Sequence, residues 1–356
     1  MKQTYFLVGD LKAESQLATC GPALAKSKSK GSPTPIPTYE GPNGVVMYMP
    51  GAGIRSKLRG AITALVLEAI DRRGAKRFSL EDAQLNRVGG IKQGGAESAL
   101  KAQEYLEMIR TNPILGLFGA STPWVKGKTR IGHASCRNPN LRPMHVEGVR
   151  ADIMKREPGM TEYLDEKALQ AYADDIQRTK EYSALKKDME AKKKLMRGAT
   201  SEEKKKLQAE IKALDKTVAD GNLKHVSAQQ PLEGYLAIPP GAQLDQKIAL
   251  VSVSQIEFGG FLAALERFAL APELGAHVAH GAGVIGGSWQ VRGAGKGVIG
   301  QLTIDPYMGL EIEGQELKDA KAAFEAFVNS DECVPYSNAA QLIAAMADAE
   351  EVTADE

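Results

Sequence analysis

Residues 45–74 place a strand, a sharp turn and a helix in direct succession, and this order restricts the folds open to the chain. Val45 to Met49 form a short apolar run that predicts a strand. The residues Pro50-Gly51-Ala52-Gly53 then break the chain. From Ile54 to Ile70, apolar residues recur at steps of three and four, which predicts a helix with one buried stripe that ends before Gly74.

The same alternation returns in the second half of the chain. Further strands are predicted at residues 4–12, 234–238, 247–255, 281–291 and 298–304, and further helices at 258–268, 314–328 and 337–347. Two strand–helix–strand units around one sheet have the order βαββαβ. The predicted fold class is therefore α+β, with a ferredoxin-like (RRM-like) palm.

Residues 161–220 follow a different pattern, because they are highly charged and poor in β-branched residues. Between Lys180 and Lys216 there are 12 basic and 7 acidic side chains. Two helices joined at residues 197–200 fit this composition best. They form either a solvated hairpin that stiffens an insertion or a basic arm that reaches nucleic acid, and the two interpretations are compatible.

These patterns divide the chain into segments. The predicted division is 1–77 for the first half of the palm, 78–114 for an inserted helical (web) subdomain, 115–132 for a palm strand region, 133–230 for a thumb with the charged helical insertion, 231–347 for the second half of the palm, and 348–356 for an acidic tail. Within this division, Leu115 to Ser121 are interpreted as an apolar structural turn.

The net charge of +1 conceals a strong asymmetry. Residues 21–160 contain 22 Lys and Arg against 11 Asp and Glu, whereas residues 217–356 contain 7 against 19. A basic front and an acidic back favour a polyanionic partner for one face and head-to-tail stacking of copies. Alternatively, the two sets of charges intermix in the fold.

The remaining composition excludes several classes of protein. The cysteines, Cys20, Cys136 and Cys333, are far apart and odd in number, so they predict neither a disulfide framework nor a zinc site. No signal peptide or membrane span is apparent. We expect a soluble cytoplasmic protein without metal or cofactor.

The segment from Met49 to Arg59 is the most informative motif. Gly51 and Gly53 allow a close backbone approach, and the helix start that follows offers free N–H groups and a positive dipole end. Arg55 and Arg59 are four residues apart and share a face. Ser56 and Lys57 lie between them in the sequence, with Lys57 to one side. The pattern predicts binding of a phosphate backbone, although a glycine turn with solvated basic residues is the simpler alternative. No Walker motif is present.

Two further stretches are candidates for nucleic-acid contact. The first is a glycine-rich run that contains Gly281 and Gly283, which is either a turn entering a hairpin or a second surface for close backbone approach. His277 and His280 precede these glycines, but two histidines do not make a catalytic or metal site. The second is a dispersed basic run with interleaved methionines, from which we select Arg150, Lys155 and Arg156.

Several motifs together resemble the repeat-associated mysterious protein (RAMP) superfamily. Residues 49–60 resemble its "PGSSLRGKLR" signature, and Leu117-Phe118-Gly119 resembles its downstream "LFG" element. Residues 238–242 look like its "vPGT" strand entry, and residues 258–283 are similar to its glycine-rich ending. The pieces occur in the same order as in the superfamily.

Within that superfamily, the chain is most similar to the backbone subunit of class 1 CRISPR effector complexes, and above all to the type IV branch. The resemblance implies a subunit that polymerises along guide RNA (crRNA) into a helical filament with copies of itself and other effector subunits. A palm would hold the RNA backbone, a thumb would project over the neighbouring subunit's RNA, and the guide would pair with a complementary target nucleic acid. The implied guide-binding residues are Gly51, Gly53, Arg55, Ser56, Lys57 and Arg59, with Gly281 and Gly283 as lesser candidates.

One departure from the pattern bears on catalysis. Type III relatives cleave target RNA with an Asp in the loop before the Pro-Gly motif, but the corresponding residues 30–36 contain no Asp. Between Ser15 and Gly60 the only acidic residue is Glu40. Because RNA cleavage of that kind needs a carboxylate, we expect no enzymatic activity. The alternative is a RAMP-type endoribonuclease that processes guide RNA through His277 or His280.

Overall fold

A computed structural model describes residues 2–19, 32–75, 78–90, 102–121, 125–150, 165–196, 201–220 and 230–336. The strands within these ranges are β1 (Gln3–Ala13), β2 (Thr38–Gly41), β3 (Gly44–Met49), β4 (Thr129–Ile131), β5 (Ala134–Cys136), β6 (Met144–Arg150), β7 (Gln230–Ala237), β8 (Gln243–Val253), β9 (Ile285–Gly293), β10 (Gly297–Asp305) and β11 (Gly309–Glu313). The helices are α1 (Gly51–Arg72), α2 (Leu80–Val88), α3 (Ala102–Thr111), α4 (Pro113–Phe118), α5 (Glu166–Leu195), α6 (Ser201–Asp220), α7 (Gln255–Ala269) and α8 (Gln315–Val328).

The fold is mixed α/β and is built on one large antiparallel sheet. Its strand order is β11-β10-β9-β1-β8-β5-β3-β2, and β4 pairs with β8 off this path. The long strand β1 lies in the middle, antiparallel to β8 on one side and to β9 on the other. Strands β6 and β7 form a separate two-stranded sheet.

The core lies between one face of the large sheet and the helices, because the strands alternate between buried and open positions. In β1, Tyr5, Leu7 and Leu11 are buried, whereas Phe6 and Val8 between them are partly exposed. Helices α1 and α7 pack against the buried face and against each other. The ring of Tyr5 stacks on the buried ring of Phe258, with centroids 3.9 Å apart.

Residue contacts divide the chain into two compact units. The first comprises residues 1–146 and 234–356 and contains the large sheet with its helices. The second comprises residues 147–233, where α5 and α6 pack against each other. This second unit contains the two helices predicted at 161–220, although the joint at residues 197–200 lies outside the described residues.

The longer elements agree with the sequence patterns, whereas several short ones differ. Strand β5 falls inside the range 133–230 assigned to the thumb, but it pairs with β8 of the large sheet, and three residues are too few to give an alternation signal. The apolar turn predicted at Leu115 to Ser121 is wrong in its first part, which is the end of α4. Asn112 caps that helix and Pro113 starts it, a pattern that favours a helix N-terminus.

The strand predicted at 281–291 starts later than expected. It is β9, which begins at Ile285, and the chain ahead of it contains a short 3₁₀ turn at Val278–His280. The helix predicted at 337–347 and the acidic tail lie outside the described residues. Among the helices that the structure describes, none is long and apolar enough to cross a membrane.

Candidate nucleic-acid interface

The start of α1 packs closely against the strand region that follows β4. Gly51 is buried, and a Cβ there would lie 2.7 Å from the carbonyl oxygen of Gly132 and closer still to that of Ile131. Its N–H donates to Nδ1 of His133 over 3.0 Å. The glycine at position 51 therefore serves contact within the chain, and the close approach predicted for it is made by protein backbone.

The first turn of α1 is less open to a ligand than its sequence suggests. Besides that of Gly51, the N–H groups of Gly53 and Ile54 also bond within the chain, both to the carbonyl of Pro50. The expectation of several free N–H groups is thus wrong for these three residues. The dipole end itself stays uncompensated, since no acidic residue occupies the first turn.

Arg55 extends from the second turn of α1 into a pocket. One of its terminal nitrogens donates to the carbonyl oxygen of Phe118, and its guanidinium carbon lies 5.9 Å from the centre of the Phe118 ring. Gly127 leaves room for it, because a Cβ there would lie 2.7 Å from Nη2 of Arg55. The Nε atom of Arg55 is buried and has no hydrogen-bond partner in the described part of the chain.

Arg59 lies on the same face of α1, one turn further, and it is buried. Its Nε donates to the carbonyl of Asn86 over 2.6 Å, and its two terminal nitrogens donate to the carbonyls of Leu85 (2.7 Å) and Gly119 (2.9 Å). The first two carbonyls belong to the last turn of α2, where helical carbonyls lack partners within the helix. The expectation that Arg59 is displayed on the surface is therefore wrong, since this guanidinium caps a neighbouring helix.

A third arginine, Arg87, completes the cluster from α2. Its Nη1 donates to the carbonyl of Ser56 over 3.2 Å, and its guanidinium lies against Gly60 of α1. Burial, followed by the positive charges of Arg55 and Arg87, lowers the pKa of Arg59 to about 10. The Arg59 guanidinium is thus charged at neutral pH, and the neighbouring guanidinium groups of Arg55 and Arg87 repel it.

We refer to Arg55, Arg59 and Arg87 together as the arginine cluster. No carboxylate of the described ranges forms an ion pair with any of the three. Arg55 and Arg59 line a pocket of about 550 Å³. Its other walls are Val88 to Gly90, Phe118 to Ser121, and Val125 to Gly127. A pocket lined by one buried and one half-buried guanidinium group without carboxylate partners is electrostatically suited to an anion, and phosphate oxygens match the planar donors of arginine.

The outward side of the same helix start carries the other predicted residues. Gly53, Ser56 and Lys57 are exposed. A Cβ at Gly53 would meet nothing within 4 Å. These three residues therefore line an accessible surface beside the arginine cluster, whereas Ile54 and Leu58 are buried in the core, as the periodicity predicted.

The glycine-rich loop before β9 lies elsewhere in the first unit. Gly281 and Gly283 both have positive φ angles (+76° and +95°), which a turn of this kind requires. A Cβ at Gly283 would lie 2.6 Å from the carbonyl of Leu274, whereas Gly281 faces open space. Gly283 therefore fits the interpretation as a turn, whereas the exposed backbone at Gly281 is accessible to a ligand.

His277 and His280 are close to each other but have few partners suited to catalysis. The ring of His277 stacks on Tyr235, with centroids 4.0 Å apart and planes 7° apart. Burial, and to a smaller extent the charge of His280, lowers the pKa of His277. The two imidazole centroids are 6.3 Å apart.

The side chains of the other predicted RNA-binding residues are not described by the structure. Arg150 is the last residue of β6, and its side chain is not described, while Lys155 and Arg156 lie outside the described residues. Within the described ranges, no group of three or more His, Cys, Asp and Glu side chains could hold a metal ion.

Sequence reasoning missed the residues that complete the cluster. Arg87, Phe118 and Gly127 are 28 to 72 residues away from Arg59 or Arg55 in the sequence, so no local spacing connects them. A partial signal existed in the run Gly89-Gly90, because Gly89 ends α2 in a left-handed conformation (φ +84°) beside the Arg59 guanidinium.

Comparisons with known proteins add a similarity in structure and none in sequence. No family model matches the chain, and no curated protein matches it. A chain of a solved structure described as "Type IV-B CRISPR Complex" aligns with 80% of this chain and 90% of its own length, at 12% sequence identity and a TM-score of 0.41. A likeness at that level assigns neither function nor residue roles to this chain.

Proposed function

We propose that this protein is a non-catalytic subunit that polymerises along CRISPR guide RNA, forms the helical backbone of a type IV-like ribonucleoprotein, and presents the guide for target pairing. The observation that carries the proposal is the arginine cluster: Arg55 and Arg59 line one pocket, Arg87 lies against the same helix, and none of the three has a carboxylate partner within the described residues. Binding of a phosphate would relieve their mutual repulsion and supply a partner for the buried Nε of Arg55.

The motif order that resembles the RAMP superfamily supports the same function. The arrangement of the sheet is consistent with the ferredoxin-like palm that this resemblance implies. In chain order, β1, α1, β5, β8, α7 and β9 give βαββαβ, and the four strands lie side by side as β9-β1-β8-β5. The hairpin of β2 and β3 is inserted before α1 and extends the sheet at one edge.

Binding through backbone phosphates leaves the bases free, which is what a guide requires. In this proposal Arg55 and Arg87 grip phosphates, Arg59 holds the pocket in shape, and Lys57 adds an exposed charge. The opposite charges of residues 21–160 and 217–356 favour contact between successive copies, whose weak individual contacts sum along one RNA.

The direct test measures RNA binding by the double variant Arg55→Ala/Arg87→Ala. We expect affinity for single-stranded RNA to fall by tenfold or more in fluorescence anisotropy. The slope of log affinity against log salt should flatten by roughly 1.4, at ~0.7 per lost phosphate contact on single strands. The matched control is Arg72→Ala/Lys318→Ala, which removes two exposed cations that do not line the pocket and should bind as the wild type does.

The double variant also tests the whole assignment when it is expressed with a repeat-containing transcript. The wild-type protein should purify with RNA in particles whose length grows with the transcript, whereas the variant should purify as free protein. Equal yields of RNA with both proteins would refute the role of the cluster. Cleavage of a repeat hairpin by the isolated wild-type protein, lost in His277→Ala or His280→Ala, would instead support the endoribonuclease alternative.

A further inference from the structure

The open face of the large sheet carries an exposed aromatic side chain on its central strand. Phe6 is 43% exposed and Val8 is 38% exposed, although β1 is flanked by paired strands on both sides. Both point away from the core that buries Tyr5 and Leu7. The arginine cluster does not include this surface.

Cations surround Phe6 in the register of the sheet. Arg292 of β9 lies directly opposite Phe6 on one side, and Ala249 of β8 lies opposite it on the other. Arg130 of β4 pairs with Ala249, so it stands two strands from Phe6 in the same transverse row. Directly opposite side chains have Cβ atoms about 5 Å apart. Arg292 is therefore an immediate neighbour of the Phe6 ring on one side, whereas Arg130 stands roughly 10 Å away on the other side, two strand spacings of about 4.8 Å each.

The neighbouring row adds a third cation. Lys247 of β8 lies opposite Val8, and both line a groove of about 780 Å³ together with His133. Arg130, Lys247 and Arg292 are all exposed. Within the described ranges none of the three side chains forms an ion pair, and the one side-chain hydrogen bond among them joins Arg292 to Gln290.

The carboxylates that β1 and β8 place on this face do not neutralise these cations, because another arginine binds them. Asp10 and Asp245 stand opposite each other one row further along. Arg137 contacts Asp245 at 2.7 Å and Asp10 at 3.7 Å. The positive charge around Phe6 and Val8 is thus left for an external anion.

We propose that the five residues Phe6, Val8, Arg130, Lys247 and Arg292, the sheet platform, bind unpaired bases of single-stranded RNA. Phe6 stacks on a base, and the three cations contact the phosphates on either side of it. An exposed ring bordered by cations is the combination that single-stranded nucleic acid binds without sequence preference. A protein partner is less suited, since the apolar area of two side chains is small and the cations around it lack counter-charges.

The sheet platform is connected to the arginine cluster along one short segment of chain. Lys126 and Gly127 line the arginine pocket, and Arg130 lies at the edge of the platform. Four residue steps at ~3.3 Å each separate Lys126 from Arg130, which is about 13 Å at most. This inference rests on the proposed function in taking RNA as the ligand. It assigns contact with the bases to the sheet platform and contact with other phosphates to the arginine cluster.

The experiment compares two oligonucleotides of equal length, one of uridines and one of abasic sugar-phosphate units, on three versions of the full chain. Wild-type protein should bind the uridine strand about tenfold more tightly than the abasic strand, in line with base–aromatic stacking. Phe6→Leu keeps an apolar side chain and should lose this preference, whereas Phe6→Tyr keeps the ring and should retain it. Crosslinking of 4-thiouridine RNA should label the peptide that contains Phe6 in wild-type protein.

The outcomes separate this inference from the proposed function. Failure of the wild-type protein to bind either strand would overturn both. If Arg55→Ala/Arg87→Ala weakens both strands while Phe6→Leu still prefers the uridine strand, the sheet platform is refuted alone. If Phe6→Leu loses the preference, the platform stands whatever the arginine variant does. A change in self-association of Phe6→Leu with unchanged RNA affinity would make this face a protein interface and refute the proposal.

Discussion

The arginine cluster and the helical hairpin of α5 and α6 both carry an excess of positive charge, but they use it in opposite ways. In the cluster, Arg59 is buried, Arg55 is half-buried, and their hydrogen bonds go to backbone carbonyls. In the hairpin, the charged side chains are mostly exposed, and acids are interspersed among the cations and pair with some of them, as Glu210 does with Lys192. The difference teaches that a count of cations does not by itself locate an anion site, whereas desolvated cations without a counter-charge mark a candidate for one.

The largest expected effect in this comparison is the loss of Arg59. Arg59→Ala removes a charged donor and the three hydrogen bonds that it makes to the carbonyls of Leu85, Asn86 and Gly119. We expect a loss of about 3 kcal/mol in the free energy of unfolding, measured by urea denaturation. Since the pKa of about 10 keeps Arg59 protonated, the loss should be the same from pH 6 to pH 8.

A second variant makes this result specific. Arg59→Lys keeps the charge but cannot span three carbonyls with a planar fork, so it should recover only part of the loss. An Arg59→Ala protein of wild-type stability that binds RNA poorly would contradict the assignment, because Arg59 would then be the displayed cation that the sequence suggested.

The two glycines of the Pro-Gly motif should respond in opposite directions. Gly51→Ala places a methyl group 2.7 Å from the carbonyl of Gly132, and we expect it to destabilise the protein by about 2 kcal/mol. Gly53→Ala meets open space in a helix and should stabilise the fold by up to about 1 kcal/mol. Thermal unfolding of both variants measures the difference.

Gly53→Ala also sharpens the comparison at the level of binding. If RNA approaches the exposed side of the helix start, the added methyl should weaken RNA binding several-fold in a protein that is more stable. Unchanged affinity would mean that the ligand contacts only the arginine pocket and leaves the helix start free.

The sequence predicted the long elements and the motif because their signals are local. The period of α1 identified Ile54 and Leu58 as core residues, and both are buried. The same period put Arg55 and Arg59 on one face, which is correct, but it could not reveal that α2 lies over Arg59. That depends on packing between segments 27 residues apart, which no spacing rule describes.

The short elements were missed for a related reason. Strands β4 and β5 have three residues each, and their pairing with β8 is set by a partner more than 100 residues away. The sheet platform was likewise invisible, since Phe6, Arg130 and Arg292 become neighbours only through strand register. Periodicity shows which face a residue occupies, whereas register decides its neighbours on that face.

The hairpin lysines test whether exposed charge contributes to RNA binding. Lys193 and Lys194 lie in the last turn of α5 and are exposed. Lys193→Ala/Lys194→Ala removes as much charge as the double variant of the cluster, but we expect RNA affinity to fall by less than threefold at ~0.15 M salt, where exposed charges are screened. A loss equal to that of Arg55→Ala/Arg87→Ala in anisotropy would establish the hairpin as a nucleic-acid arm.

The smallest effect is expected for the ion pair of Lys192 and Glu210, 2.6 Å apart on the surface of the hairpin. Hydrogen bonding to Lys192 lowers the pKa of Glu210, and the same bond raises the pKa of Lys192. The pair therefore contributes above the ordinary pKa of a glutamate and below that of a lysine, and its contribution is lost as the pH falls through the lowered pKa of Glu210. Lys192→Gln should return the Glu210 pKa to its ordinary range in an NMR titration while leaving RNA affinity and the melting temperature unchanged. If this variant instead melted as early as Arg59→Ala, exposed and buried cations would be equivalent here, and the distinction between the two regions would be wrong.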